Sequence, residues 1–307
     1  MSTASGEFVD FTLVSFQHRG QEEFAAGMIH DRMVWPLADA HGVPDNVLQA
    51  CLLAATPDGV DRLRSGVLGP ESRSRPTPLD EVRLGSPLSS PEKIICLGLN
   101  YVDHATETGF EAPPAPIIFS KFRNSLVGPH DPVVLPRSSH EVDFEGELAV
   151  VIGRAAKYVD EADALAYVAG YAVTNDVTAR DLQVRTSQWT AGKALDTFAP
   201  MGPGLVPAGL VPDPQDLMIE TRVNSETMQY DSTKAMIFSV AHTIADLSTM
   251  MTLVPGDVIA TGTPAGVGFK QDPPRFLTAG DVVEVSIRGI GTIRNPVVAE
   301  DDVRQPR

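Results

Sequence analysis

Cysteine is scarce in this chain. Cys51 and Cys96 are its two cysteines, and they stand in neither a metal-ligand spacing nor a disulfide pattern. A reducing setting is therefore expected. Positive charge is scarce too: 24 Lys and Arg face 40 Asp and Glu, a formal net charge of −16 with a pI near 4.7. That balance argues against a nucleic-acid partner or an anionic membrane surface, both of which reward neutralisation of phosphate. It leaves room for a small anionic substrate in a locally positive site. No apolar run approaches the length of a membrane span. The start, "MSTASGEFVDFTLVSFQHRG", lacks the basic end and apolar core of a signal peptide. A soluble, cytoplasmic protein is expected. Nucleotide and hydrolase signatures are also missing. There is no G-x-G-x-x-G after a strand, no phosphate loop ending in Gly-Lys-Ser/Thr and no G-x-S-x-G elbow. "TGTPAGVGF" is glycine-rich but has none of these spacings.

What is present describes a globular chain with a sizeable core, 43% hydrophobic and 21% charged over 307 residues. Residues 7–15 and 24–36 read as strands. "DNVLQACLLA", with Asp45 as N-cap, and "GVDRLRSGVLG" read as helices. "GPESRSRPTPLDEVRLGSPLSSPEK" is rich in Pro, Ser and Gly and reads as a linker ending near residue 90. A small N-terminal module over 1–88 and a larger domain over 89–307 are expected. The larger part is strand-dominated: short β-branched runs such as "KIICLGL", "PIIFSKF" and "ELAVVIG" recur between Gly, Pro and Asp. Only "VDHATET", "EADALAYVAG" and "SVAHTIADLSTMM" read as helices. The fold class is therefore α+β, a sandwich or roll rather than a doubly wound βαβ array. "PGDVIATG" and "AGDVVEVS" share a Gly-Asp turn feeding a strand.

In "VDFEGELAVVIG", Asp143, Glu145 and Glu147 alternate, so one strand face carries all three. On spacing alone such a face is solvated. Two features oppose that: "LAVVI" has no polar side, so the strand is covered on both faces. Gly146 is poor inside a strand but permits close approach. A hard divalent cation held by oxygen ligands would offset the cost of burying the glutamates. Asp176, ending the strand-like run "YAVTND", is either the third ligand or the N-cap of a helix through "VTARDLQ". His104 and Glu107, three apart, face each other if helical, as an exposed polar turn or as a pair that takes a proton from water. Lys193 is a surface lysine or one aimed at a developing oxyanion. Arg180, four residues after Asp176, suits a substrate carboxylate.

The ordered runs "VDFEGELAVVIG", "TNDVTARDLQ", "QWTAGKALDTFAPMGP" and "PGDVIATGTPAGVG" closely resemble the fumarylacetoacetate hydrolase superfamily over about residues 90–298. The nearest branch is that of fumarylacetoacetate hydrolase domain-containing protein 2 and 2-hydroxyhepta-2,4-diene-1,7-dioate isomerase-like proteins. The resemblance implies a mixed β-sandwich roll and a Mg²⁺ site, with Mn²⁺ or Ca²⁺ as alternatives, at Glu145, Glu147 and Asp176. It implies a catalytic set of His104 and Glu107 on a short lid helix with Lys193, and substrate contacts at Arg180, Gln183 and Thr263. Two departures stand out. "CLGLN" offers no acid where the founding enzymes carry a further metal aspartate, and Leu99 replaces an arginine found in acylpyruvases.

The implied chemistry is metal-assisted reaction of a small anionic 2-oxo or 1,3-dicarbonyl acid. The complete His–Glu–Lys set points first to C–C hydrolysis of a 2,4-dioxo acid. The alternatives are tautomerisation, isomerisation or decarboxylation of an acid such as oxaloacetate, or a non-catalytic ligand-binding member of the fold. A homodimer is expected from the resemblance.

Overall fold

The computed structural model describes residues 10–109 and 111–302. Residues 7–9 of the first expected strand lie outside the described residues. Among the described residues, a 12-stranded and a five-stranded sheet, with a separate two-stranded ladder, build the molecule, in agreement with the strand-dominated α+β class. In the larger, the neighbours around the site run Ala199–Pro207, Val168–Asn175, Gly146–Ile152, Val258–Ala260, Ile94–Gly98 and the edge strand Ile117–Lys121. All pairings in this series are antiparallel except Val258–Ala260 with Ile94–Gly98. The smaller sheet has five strands, with Met218–Val223 and Val282–Ile287 near its middle.

The "LAVVI" run explains the layering. Leu148, Val150 and Ile152 point into the core shared with Ile219, Val283 and Val285 of the smaller sheet. Ala149 and Val151 point the other way, into a second core with Ala50, Cys51 and Leu63 of two N-terminal helices. A strand apolar on both faces is thus covered on both faces. Gly146 serves this packing. A Cβ there would stand 2.2 Å from Thr221 Oγ1 and 2.8 Å from Val285 Cγ1, so the close approach it permits is that of the second sheet.

The N-terminal strands extend the same large sheet, because Thr12–His18 pairs with Ala199–Pro207 at Leu13↔Leu205. The Pro- and Ser-rich stretch before residue 90 is not a plain linker. Its Val82–Gly85 pairs with Thr12–His18, and Leu84 packs with Val14, Phe16 and Val34. Four residues with one buried leucine are enough for a strand when a partner is at hand, and composition hides them. The two N-terminal helices form at Val47–Ala54 and Gly59–Leu68; the first is capped by Asn46, not Asp45, through a bond from Gln49 N. "EADALAY" forms a 3₁₀ turn and "VAG" already belongs to the strand Val168–Asn175. The helices Val102–Thr108 and Val240–Met250 form as expected. The paired Gly-Asp turns share one lock: Asp257 accepts from Val254 N at 2.7 Å and Asp281 from Thr278 N at 2.8 Å. Among the described residues no helix is long and apolar enough to cross a membrane.

Candidate active site

The site forms where two antiparallel neighbours stop pairing. The ladder between Gly146–Ile152 and Val168–Asn175 ends at Gly146↔Asn175. Beyond it, Asp176 N donates to Glu145 O at 2.8 Å, and Asn175 Oδ1 accepts from Glu145 N at 2.9 Å. Pairing resumes between Val142–Asp143 and Thr178–Ala179. Asp176 is therefore held beside Glu145, and the strand's period of two places Glu147 on the same face. Carboxylate oxygens of Glu145, Glu147 and Asp176 lie within 4.8 Å of one another, and all three residues are buried. Asp176 caps no helix; the short helix Arg180–Gln183 begins after Ala179.

Buried cations meet these acids. Lys193 Nζ lies 2.6 Å from Glu145 Oε2 and 2.7 Å from Asp176 Oδ2. Lys121 Nζ lies 2.7 Å from Asp176 Oδ1 and also donates to the carbonyls of Val177, Lys193 and Phe198. Arg180 bridges Asp143, through Nε at 2.9 Å and Nη2 at 2.8 Å, and Glu145 Oε1 at 2.6 Å. It reaches the acids through these partners rather than along a helical turn from Asp176, since residues 178–179 are extended. Burial opposes the charge of Glu145, yet Lys193 and Arg180, with His104, hold its carboxyl well below the usual carboxylate range. Burial also opposes the charge of Lys193, but Asp176 and Glu145 keep it firmly protonated. Glu147 goes the other way: burial first, then Asp176 and Glu145, push its pKa well up.

Four carboxylates (Asp143, Glu145, Glu147 and Asp176) thus surround three cations (Lys121, Arg180 and Lys193), leaving one negative charge uncompensated. The surplus shows at Glu147. Its Oε2 accepts from Gly262 N at 2.8 Å, while its buried Oε1 has no partner. An orphaned carboxylate oxygen beside two other acids, all hard oxygen donors, fits a divalent cation of the Mg²⁺, Mn²⁺ or Ca²⁺ kind. Glu145, Glu147 and Asp176 are the residues that would hold it.

A cavity of about 210 Å³ opens beside these groups, lined by His104, Glu145, Arg180, Gln183, Lys193 and Thr263 with apolar neighbours. His104 lies on the helix Val102–Thr108, with Nδ1 3.4 Å from Glu107 Oε2. Gly266 N stands 3.2 Å from both Glu107 oxygens, which ties this helix to the loop after Thr263. Gln183 Oε1 accepts from Arg180 Nη1 at 3.1 Å. Thr263 Oγ1 donates to Gly146 O and accepts from Gln229 Nε2. Gly192 lets the turn carrying Lys193 sit against Arg180–Gln183: a Cβ there would lie 2.5 Å from Ala179 O and Gln183 N.

Eight of the nine singled-out residues therefore line one cavity or form its adjoining acid cluster, and the ninth, Glu107, reaches it through His104. Sequence reading missed Lys121, the Asp143–Arg180 pair and the aromatic lining of Phe119, Trp189 and Phe269. The signal for Lys121 was a lone cation ending the apolar run "PIIFSK".

The family model for the fumarylacetoacetate (FAA) hydrolase C-terminal region matches residues 93–298. A human relative named mitochondrial oxaloacetate tautomerase FAHD2A is 50% identical over 223 residues, 72% of this chain and 71% of that protein. The solved fumarylacetoacetate hydrolase of Exiguobacterium antarcticum is 37% identical with a TM-score of 0.81, over 94% of this chain and 100% of that one. The 2-hydroxyhepta-2,4-diene-1,7-dioate isomerase of Mycobacterium marinum is 35% identical with a TM-score of 0.74, over 94% and 99%.

Proposed function

Because the chain belongs to the fumarylacetoacetate hydrolase family, we propose that it is a Mg²⁺- or Mn²⁺-dependent enzyme interconverting enol and keto forms of a small 2-oxo dicarboxylate such as oxaloacetate. The observation that carries this is the cavity of about 210 Å³ lined both by His104, which pairs with Glu107, and by Lys193, which pairs with the carboxylate cluster. A four-carbon acid suits that volume, and the half-identical human relative bears a tautomerase name.

When bound, the divalent cation supplies Lewis-acid charge that polarises the 2-oxo carboxylate. The chain's own residues do the rest. His104, oriented by Glu107, takes the proton from C3 of the keto acid, and returns it there in the reverse direction. The Lys193 ammonium stabilises the negative charge that develops on the C2 oxygen. The proton held by His104 then passes through solvent water to that oxygen, which completes the enol and restores the neutral imidazole. Asp143 and Gln183 orient Arg180 to meet the far carboxylate, with Thr263 on the same wall.

C–C hydrolysis is the second reading. The His104–Glu107 pair favours it, because such a pair also activates water, and one solved relative carries a hydrolase name. The deciding experiment follows enol absorbance for oxaloacetate and acylpyruvates, with added Mg²⁺ and with chelator, alongside product analysis. Metal-dependent loss of enol without carbon–carbon cleavage is expected. Acylpyruvate cleavage faster than oxaloacetate turnover would overturn the tautomerase reading in favour of the hydrolase. The same reading takes the protein as a homodimer, which light scattering tests.

A further inference from the structure

Behind the site cavity of about 210 Å³ lies a wider, open cleft of about 600 Å³. Among the described residues, two side chains line both spaces, Phe119 and Trp189. Their rings meet edge to face with centroids 5.6 Å apart. Phe119 comes from the edge strand Ile117–Lys121, and Trp189 from the turn that leads into the short helix bearing Lys193. The indole is seated by a glycine: a Cβ on Gly98 would stand 2.4 Å from Trp189 Cζ3 and 2.9 Å from Cη2. The outer cleft is lined in part by Ile117, Ile118, Phe122 and Met251, of which Ile118 and Phe122 are exposed. Apolar surface is thus available immediately beyond the aromatic wall of the smaller reaction space.

We propose that Trp189, backed by Phe119, is the residue that limits substrate tail length: it stops the tail of a 2-oxo acid at the wall, and the outer cleft is the space a longer apolar tail would fill. The inference rests on the reading of the cavity as a 2-oxo-acid site. A short acid fits the smaller cavity without reaching the cleft. A tail of several methylenes directed toward the cleft has to cross the position of the indole. Removing the ring would join the two spaces and let those methylenes leave water against Ile117, Ile118 and Met251.

The test is calorimetric binding of 2-oxobutyrate, 2-oxohexanoate and 2-oxooctanoate to the full-length protein with Mg²⁺. Wild-type protein is expected to bind the eight-carbon acid no more tightly than the four-carbon acid. In Trp189→Ala the affinity ratio of long to short acid rises by about ten-fold or more, the gain available from burying several methylenes. Gly98→Ala, which evicts the indole without deleting it, and Phe119→Ala, which opens the wall from the other side, shift the ratio in the same direction. They decide the matter where Trp189→Ala fails to fold. A ratio unchanged in the folded variants, with wild-type binding intact, overturns the wall and leaves the functional reading standing. Absence of binding to wild-type protein by these acids and by oxaloacetate alike overturns both.

Discussion

Asp143 holds the Arg180 guanidinium in a two-point grip, taking Nε at 2.9 Å and Nη2 at 2.8 Å on one carboxylate oxygen. Its other oxygen accepts from Gly268 N and Phe144 N, and the residue is wholly buried. The third alternating acid thus aims the arginine that also touches Glu145. Removing one partner of such a pair strands the other charge in the core. Asp143→Ala is expected to lower unfolding free energy by about 3–5 kcal/mol. Pairing it with Arg180→Met should recover part of that loss in urea titrations. A single-variant cost below about 1 kcal/mol would place the pair among interactions of no structural consequence.

Glu147 is the acid of the cluster whose charged form is opposed by burial and by its neighbours, so its isosteric amide separates two effects. Glu147→Gln removes a proposed metal ligand and also removes repulsion from Asp176 and Glu145. Added Mg²⁺ should raise the thermal midpoint of the wild-type protein by mass action. In the variant this gain should vanish, while the chelated protein melts no lower than wild type. A full Mg²⁺ response in Glu147→Gln would remove this residue from the metal site.

His104 and Glu107 are separable from the metal by the same logic. They stand on the helix Val102–Thr108 and belong to no carboxylate cluster. His104→Ala is expected to cut the tautomerisation rate about 10²–10⁴-fold, the usual worth of a positioned acid–base group. Glu107→Gln should cost less, because the histidine remains. Bound metal, measured by elemental analysis, should be unchanged in both. A His104→Ala enzyme of normal rate would assign the proton transfer to another group.

The acid trio was legible because its information is local. A period of two places Glu145 and Glu147 together, and the all-apolar "LAVVI" says that strand is covered. Asp176 was legible as the end of a strand but not as the neighbour of Glu145, which depends on an antiparallel ladder between distant segments. The cations were harder. Lys121 meets Asp176 and Arg180 meets Asp143 only after the chain folds back, and nothing in "IIFSKF" distinguishes a buried lysine from a strand-end solvated one. The short strand Val82–Gly85 was hidden for a related reason: its partner, not its composition, makes it a strand. Gly146 signals a close approach, but a sequence does not say from which side that approach comes. Here it comes from Thr221.

Asp281 offers a pH-dependent prediction away from the site. It closes the turn after Gly280 and takes bonds from Arg275 Nη2 at 3.0 Å, Asn224 Nδ2 at 2.7 Å and Thr278 N at 2.8 Å. Burial works against its charge, but these donors, Arg275 foremost, lower its pKa from 3.8 to about 2. The folded value lies below the unfolded one, so its contribution is complete above the unfolded pKa and is lost as pH falls toward about 2. A shift of this size corresponds to about 2 kcal/mol. Asp281→Asn should therefore be less stable than wild type by that order at neutral pH, with the gap narrowing steadily in urea titrations taken downward from pH 5. A gap that stays constant with pH would mean that the turn depends on the shape of the side chain and not on its charge.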